Sequence, residues 1–292
     1  MPILSCIGAG RVGKTLCYLL SKQLRIGQII NPSIASGRKA VDFIGSGEAT
    51  TINALKKADI WLIATPDKDI EWAAKQLLAA DVLQPDNIVF HCSGLLPSSI
   101  LHNQSEGLNV ASVHPIHSFA DPQLSIDSFS GTYCAIEGSE KAVDRLTKLF
   151  SFLGALPFAI NSQHKDLYHA ATVMACNYLV SLLHISDQMM HKAGVDEAQT
   201  SRPLEPLIRQ TMENYLSLGG KQALTGPIAR GDVQTVEKHL MALDKQPDSG
   251  IWKQLYTALG QATLPLAAAQ QTPVEYLNSI AKLLDASGTY EK

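Results

Sequence analysis

Gly8, Gly10 and Gly13 follow the apolar run Pro2-Ile3-Leu4-Ser5-Cys6-Ile7, and a helical pattern then runs from Val12 to Leu24. In a strand–turn–helix the first such glycine permits the tight turn and the second lets a pyrophosphate approach the backbone. The third allows close helix–strand packing. Amides at the helix start complement phosphate charge. Gly8, Ala9, Gly10, Arg11, Val12 and Gly13 are therefore the expected dinucleotide cradle, with a ligand-free glycine turn as the competing reading. An NAD site places Asp or Glu at the end of the second strand, on the ribose. Here Asn31-Pro32-Ser33-Ile34-Ala35-Ser36-Gly37-Arg38-Lys39 follows that strand, and the nearest acid is Asp42. Ser33 and Ser36 can donate to a 2′-phosphate, and Arg38 can add a charge-assisted bond. NADP(H) is thus favoured over NAD(H), against the alternative of a polar surface turn. Asn31 is expected to face the adenosine with either cofactor.

Ligands of open α/β sheets lie outside the carboxyl ends of the strands. At those ends Thr65 and Pro66 are expected to line the cofactor, and Ser93 and His114 to approach the nicotinamide or substrate. In His114-Pro115-Ile116-His117, Pro115 biases His114 toward extended backbone. Either imidazole can titrate near neutrality, or simply cap the loop. His114 is read as catalytic and His117 as substrate-binding. Neither has a carboxylate pair or cysteine set beside it, so no metal is expected. Lys165, His169 and Asn177 fall on one slowly drifting face of a helix expected over Ser162 to His191. His169 and Asn177 are the catalytic candidates there, and Lys165 a substrate ligand or a solvated helix end. Arg230, in Leu224-Thr225-Gly226-Pro227-Ile228-Ala229-Arg230-Gly231-Asp232, can clamp an anionic substrate or tie the loop to a neighbouring helix or subunit. No Ser–His–Asp context and no carboxylate pair point to acyl transfer or glycoside cleavage.

The elements that must position these groups change character along the chain. Apolar strands are expected at Gly27–Ile30, Asp59–Ala64, Asn87–Cys92, Asn109–Val113, Thr132–Glu137 and Gly154–Ile160, with helices between them. This predicts an α/β Rossmann-type N-terminal domain with a mostly parallel sheet. Further helices are expected at Leu204–Leu218, Val233–Leu243, Trp252–Gln271 and Val274–Asp285, giving an all-helical C-terminal domain. The expected division is 1–158 for the NAD(P)-binding domain and 159–292 for the helical domain. Among 292 residues, 46% are hydrophobic and the net charge is −3, which argues against a nucleic-acid or membrane surface. Five dispersed cysteines without CxxC spacing, no separate charged leader and no membrane-length apolar run make a cytoplasmic address the expectation.

The combination of Ile7-Gly8-Ala9-Gly10-Arg11-Val12-Gly13, His91-Cys92-Ser93-Gly94, His114-Pro115-Ile116-His117-Ser118-Phe119, His169-Ala170-Ala171, Asn177 and the Leu224–Asp232 segment resembles the bacterial Rossmann-like proteins labelled DUF2520. It is more distantly similar to ketopantoate reductase, pyrroline-5-carboxylate reductase, prephenate dehydrogenase and the beta-hydroxyacid dehydrogenases, the 6-phosphogluconate dehydrogenase C-terminal-like superfamily. The resemblance implies nicotinamide binding at a domain cleft and a homodimer formed through the helical domain. In the beta-hydroxyacid dehydrogenases a catalytic Lys lies one turn before the Asn that Asn177 matches. Here that position is Val173, so His169 is the possible substitute, and the departure points away from that reaction. The expected function is NADP-dependent hydride transfer to or from a small anionic carbonyl, hydroxyl or imine compound. The alternative is a non-catalytic NADP-binding sensor or interaction protein.

Overall fold

Apolar strands too short to be helices, separated by amphipathic helices, build one eight-stranded sheet in the computed structural model. The structure describes residues 1–101, 108–196, 201–246 and 249–286. The chain runs β1 (Ile3–Ile7), α1 (Arg11–Leu20), β2 (Arg25–Ile30), α2 (Ile34–Ile44), β3 (Glu48–Thr50), β4 (Ile60–Ile63), α3 (Asp67–Ala79), β5 (Ile88–His91) and β6 (Asn109–Pro115). It continues through α4 (Pro122–Ser128), β7 (Tyr133–Gly138), α5 (Glu140–Phe152) and β8 (Leu156–Ala159). The strand order is β3-β2-β1-β4-β5-β6-β7-β8. Every neighbouring pair is parallel except β6 with β7. The sheet is therefore mostly parallel, and the strands β1, β4, β5 and β6 deliver their carboxyl ends to one edge.

Alternation along the strands fills two cores. Leu4, Cys6, Leu62, Phe90, Ala111 and Val113 face α1 and α5 on one side, and Ile7, Trp61, Ile63, Val89 and Val110 face α3 on the other. Each large apolar side chain so buried contributes about 1.5–3 kcal/mol. Strand β3 and helix α4 have no counterpart among the elements expected from the sequence. Strand β3 is three residues long and carries only small or polar side chains. Helix α4 is announced by Asp121, whose carboxylate accepts from the amides of Gln123 and Leu124 at 2.8 and 3.1 Å, with Pro122 at the first helical position.

The uninterrupted helix expected over 162–191 is instead a 3₁₀ turn at Ser162–His164, α6 (Lys165–Val173), a π turn at Met174–Tyr178, and α7 (Leu179–Lys192). Beyond it lie α8 (Ser201–Leu218), the short α9 (Gly220–Ala223), α10 (Val233–Asp244), α11 (Ser249–Ala269) and α12 (Val274–Ala286). Pro206 and Pro265 are accommodated inside α8 and α11. The chain divides into two compact units, Met1–Leu179 and Val180–Lys292. The sheet ends at Ala159, beside the expected division at 158/159, but the compact unit that holds it continues through α6 and the π turn to Leu179. In the second unit Ile228, Val236, Leu240, Ala267, Leu277, Ile280 and Leu284 form the core. No helix among the described residues is long and apolar enough to cross a membrane.

Candidate active site at the strand ends

Each glycine of the first turn answers a different steric demand. Gly8 has φ +91°, and a Cβ there would lie 2.6 Å from the Thr65 amide nitrogen. At Gly13 a Cβ would lie 2.6 Å from the Gly8 carbonyl oxygen and 3.3 Å from Ala64 Cβ, so Gly13 lets α1 sit against β1 and β4. Gly10 is different, because nothing lies within 4 Å of the space a Cβ would fill. No side chain caps α1, and the first amides of a helix have no i−4 partner. The amides of Arg11, Val12 and Gly13 are therefore without intrahelical partners beside the exposed Gly10, an arrangement that suits an anion. Asn31 braces this turn. Its Oδ1 accepts from the Ala9 amide at 2.7 Å and its Nδ2 faces the Ala9 carbonyl at 3.5 Å, so the side chain is directed at the turn.

Ser33 and Ser36 form a reciprocal cap at the start of α2: the Ser36 amide donates to Ser33 Oγ at 3.2 Å, and the Ser33 amide donates to Ser36 Oγ at 3.4 Å. Arg38 is exposed one turn on, and the first turn of α2 carries no acid. Thr65 and Pro66 close the end of β4. Thr65 Oγ1 is buried and finds no hydrogen-bond partner among the described residues, which is unusual for a hydroxyl.

The next strand end is rigid. Ser93 Oγ donates to Asp67 Oδ2 at 2.8 Å and accepts from the amides of Leu95 and Leu96 at 3.1 and 2.9 Å. One donor and two acceptor sites exhaust a hydroxyl. Ser93 therefore shapes the turn through which β5 reaches Gly94. Behind it His91 is fully buried, accepting at Nδ1 from the Ser93 amide (3.1 Å) and facing the Pro97 carbonyl through Nε2 (3.3 Å). The first contact makes Nδ1 the acceptor, so the second requires a proton on Nε2. Burial, then the nearby Lys165 charge, lowers its pKa to about 4, keeping this ring neutral.

At Gly94 the strand ends meet α6. A Cβ on Gly94 would lie 2.5 Å from His169 Nδ1 and 2.9 Å from both Cε1 and Nε2 of His114. The two imidazoles, 5.8 Å apart between centroids, converge on this one Cβ-free spot. His114 Nδ1 is 2.6 Å from the Tyr168 hydroxyl. Burial chiefly, with the neighbouring His169 and Lys165, lowers the His114 pKa to about 4, and burial raises that of Tyr168 to about 12. Both groups are neutral across the physiological range. Gly94 and Tyr168 have no local signature: a glycine after a strand reads as a turn, and a tyrosine on a helix reads as packing.

Lys165 is only 2% exposed. Its Nζ donates to Ser112 Oγ at 2.6 Å and the Ser93 carbonyl at 3.2 Å, and pairs with Glu137 Oε1 at 3.4 Å. Three donors meet three acceptors, so the expected substrate ligand is an internal tie between α6 and the sheet. Burial lowers its pKa while Glu137 works in the opposite direction. Glu137 also accepts from the Ser98 amide and hydroxyl, both at 2.7 Å. His91, Ser112 and Glu137 are in register across β5, β6 and β7, a polar ladder whose members come from distant stretches of chain.

His117 belongs to a separate cluster, with Nδ1 3.3 Å from Thr132 Oγ1 and its ring against Phe119 and Phe129. Burial lowers its pKa. Asn177 is exposed in the π turn. Eight α-helical residues would leave it about 80° from His169. Because a π turn advances by roughly 80–90° per residue, the offset shrinks to about 20°. The π turn thus puts Asn177 on the His169 face. Arg230 is exposed in the second unit, beside Asp232, whose carboxylate caps α10 through the Thr235 amide at 3.0 Å. That unit holds a cavity of about 330 Å³ lined by Ile185, Met189, Ile228, Trp252, Tyr256 and Leu259 among others. Arg230 lies outside it. Among the described residues no group of three or more His, Cys, Asp or Glu side chains can hold a metal.

Residues 3–115 match the model of a Rossmann-like domain, and residues 132–263 match that of a domain of unknown function, DUF2520. A solved protein from Thermotoga maritima is 26% identical, with a TM-score of 0.68 over 96% of this chain and 98% of that one. A candidate NADP oxidoreductase from Bacteroides fragilis is 21% identical, with a TM-score of 0.74 over 89% and 97%. The reductive aminase of Aspergillus terreus, solved with NADPH and ethyl-5-oxohexanoate, is 14% identical, with a TM-score of 0.59 over 98% and 93%. No curated protein matches the chain in sequence.

Proposed function

Since the chain joins a Rossmann-like domain to a DUF2520 domain and is thereby related to the 6-phosphogluconate dehydrogenase C-terminal-like oxidoreductases, we propose that it is an NADP(H)-dependent oxidoreductase of a small anionic carbonyl, hydroxyl or imine compound. One observation carries this reading. The open backbone at Gly10 and the convergent imidazoles of His114 and His169 belong to the same strand edge. They are linked there by the Gly8–Thr65 approach and the Asp67–Ser93 hydrogen bond. When bound, the dinucleotide supplies or accepts the hydride. Gly8, Ala9, Gly10, Arg11, Val12 and Gly13 hold its pyrophosphate, while Thr65 and Pro66 line it. Ser33, Ser36 and Arg38 take the 2′-phosphate, a choice supported by the absence of an acid in the first turn of α2. His114 and His169 hold and move the proton at the reacting atom, and Asn177 orients it.

Arg230 binds the substrate's anionic group. A homodimer through the helical domain is supported by the exposed apolar side chains Leu207, Tyr215, Leu216 and Leu218 along α8. The working division remains 1–158 and 159–292, and the working address is the cytoplasm.

Calorimetric titration of nucleotide-free protein tests the proposal. NADPH is expected to bind at least about 10-fold more tightly than NADH, and Arg38→Ala to reduce that preference by about 10-fold or more, the loss of one charge-assisted bond. Gly10→Val projects a side chain into the open space beside the turn, so it should abolish binding. Absence of binding by either nucleotide, reduced or oxidised, would overturn the proposal.

A further inference from the structure

We propose that Tyr168, His114 and the substrate oxygen form a proton relay, which selects a carbonyl–alcohol pair as the substrate class. The inference rests on the oxidoreductase reading above and narrows it.

The geometry sets the direction of the relay. An N–H donating to oxygen ordinarily spans about 2.9–3.0 Å, whereas hydroxyl donors make shorter bonds. The 2.6 Å between the Tyr168 oxygen and His114 Nδ1 therefore fits the phenol donating and Nδ1 accepting. A neutral imidazole with a bare Nδ1 carries its proton on Nε2. That nitrogen packs against Gly94, where a Cβ would lie 2.9 Å from it and 2.5 Å from His169 Nδ1, and His114 is only partly buried at this strand edge, the edge where ligands of such sheets lie. His169 Nδ1 has only a 3.5 Å contact with Thr172 Oγ1, whose proton is better placed on the His169 carbonyl at 2.8 Å. A substrate oxygen that reaches Nε2 meets one N–H donor, with the His169 ring beside it.

Reduction of a neutral carbonyl would leave negative charge on its oxygen, the bound dinucleotide being the group that would supply the hydride. That oxygen takes the Nε2 proton of His114. Nδ1 takes the phenolic proton of Tyr168 as the ring exchanges tautomers, and the partly exposed phenolate regains a proton from water. Alcohol oxidation runs the same transfers backward. His114 need never become imidazolium, which burial disfavours. Reduction of an iminium, by contrast, yields a neutral amine directly and leaves the relay without a task. Tyr168 acts through His114 and is a positioning residue; His114 touches the reacting oxygen.

The first readout needs no substrate. Long-range ¹H–¹⁵N correlation of the histidine rings in the whole protein, with His114 assigned by loss of its signals in His114→Gln, is expected to show the Nε2–H tautomer. Tyr168→Phe should shift the Nδ1 resonance toward a mixture of tautomers while NADPH affinity stays within about threefold. An Nδ1–H tautomer in the unsubstituted protein would make Tyr168 the acceptor and overturn the relay, whatever the nucleotide titration shows. In a screen of keto and imino acids with NADPH, a keto acid should turn over. Tyr168→Phe should then lower kcat by about 10²–10⁴-fold with little change in KM. Turnover confined to imino acids, or an unchanged kcat in Tyr168→Phe, would also overturn it.

Discussion

Gly94→Ala tests whether the site is as crowded as the strand ends make it. The backbone at Gly94 needs no left-handed conformation, so the effect of the added methyl is purely steric. The new Cβ would lie 2.5 Å from His169 Nδ1 and 2.9 Å from His114 Nε2 and Cε1. Ordinary contact requires about 3.5 Å, so one or both rings must retreat by roughly 0.6–1 Å. Neither is free to do so. His114 is held on β6 and by Tyr168 at 2.6 Å, and His169 lies one turn along α6 from the buried Lys165 anchor. Overpacking of this kind costs about 1–3 kcal/mol. At about 2–4 °C per kcal/mol for a chain of this size, the melting temperature should fall by about 2–12 °C. Displacement of a reacting group by about 1 Å costs about 100-fold in turnover. NADPH affinity should stay within about threefold, because the glycine turn is not in contact with Gly94. The assays are thermal unfolding, histidine ring NMR and nucleotide titration on the same variant. An unchanged melting temperature together with unshifted His114 and His169 resonances would refute the convergence on which this reasoning depends.

Two further expectations concern the buried polar ladder. Lys165→Ala leaves the Glu137 carboxylate largely buried without its cation and should destabilise the protein by about 3–5 kcal/mol in chemical denaturation. Lys165→Met combined with Glu137→Leu should recover much of that loss, and equal stability of the single and double variants would refute the pairing. Acid should also destabilise the fold through His91. Its folded pKa of about 4 lies below the ordinary value of 6.5, so the unfolded chain binds the extra proton between those values. Stability is therefore fully present above about pH 6.5 and declines as pH falls toward 4, by at most roughly 3 kcal/mol for this group. Denaturation midpoints measured across that range should be flatter for His91→Gln, and a parallel profile would count against a buried neutral ring.

The sequence determined what local backbone sterics determine. Gly8 and Gly13 are glycines because a Cβ would meet backbone atoms of the adjoining strand or turn, so the residue type itself records the contact. Runs such as Ile60–Ile63 and Ile88–Phe90 are buried on both faces of a parallel sheet, and their continuous apolar character says so. The break between strand alternation and helical spacing near Ile160 was legible for the same reason. Strand β3 was not, since Glu48–Thr50 has no apolar pattern and exists only because β2 offers it a partner.

Only the tertiary structure decided the site. Lys165 stands among polar residues and reads as a solvated helix end. Its burial depends on Ser112 and Glu137, which lie 53 and 28 residues away and share a register set by strand pairing. Ser93 reads as a free hydroxyl until the Asp67 carboxylate and two turn amides saturate it. Gly94 and Tyr168 do not reveal their roles locally, because those roles lie in what approaches them: His114 from β6 and His169 from α6 at Gly94, and His114 at Tyr168. A side chain's type limits the chemistry it can do, but the partners that fix its protonation and direction come from other elements. Those partners are chosen by packing over long sequence separations, which no local pattern records.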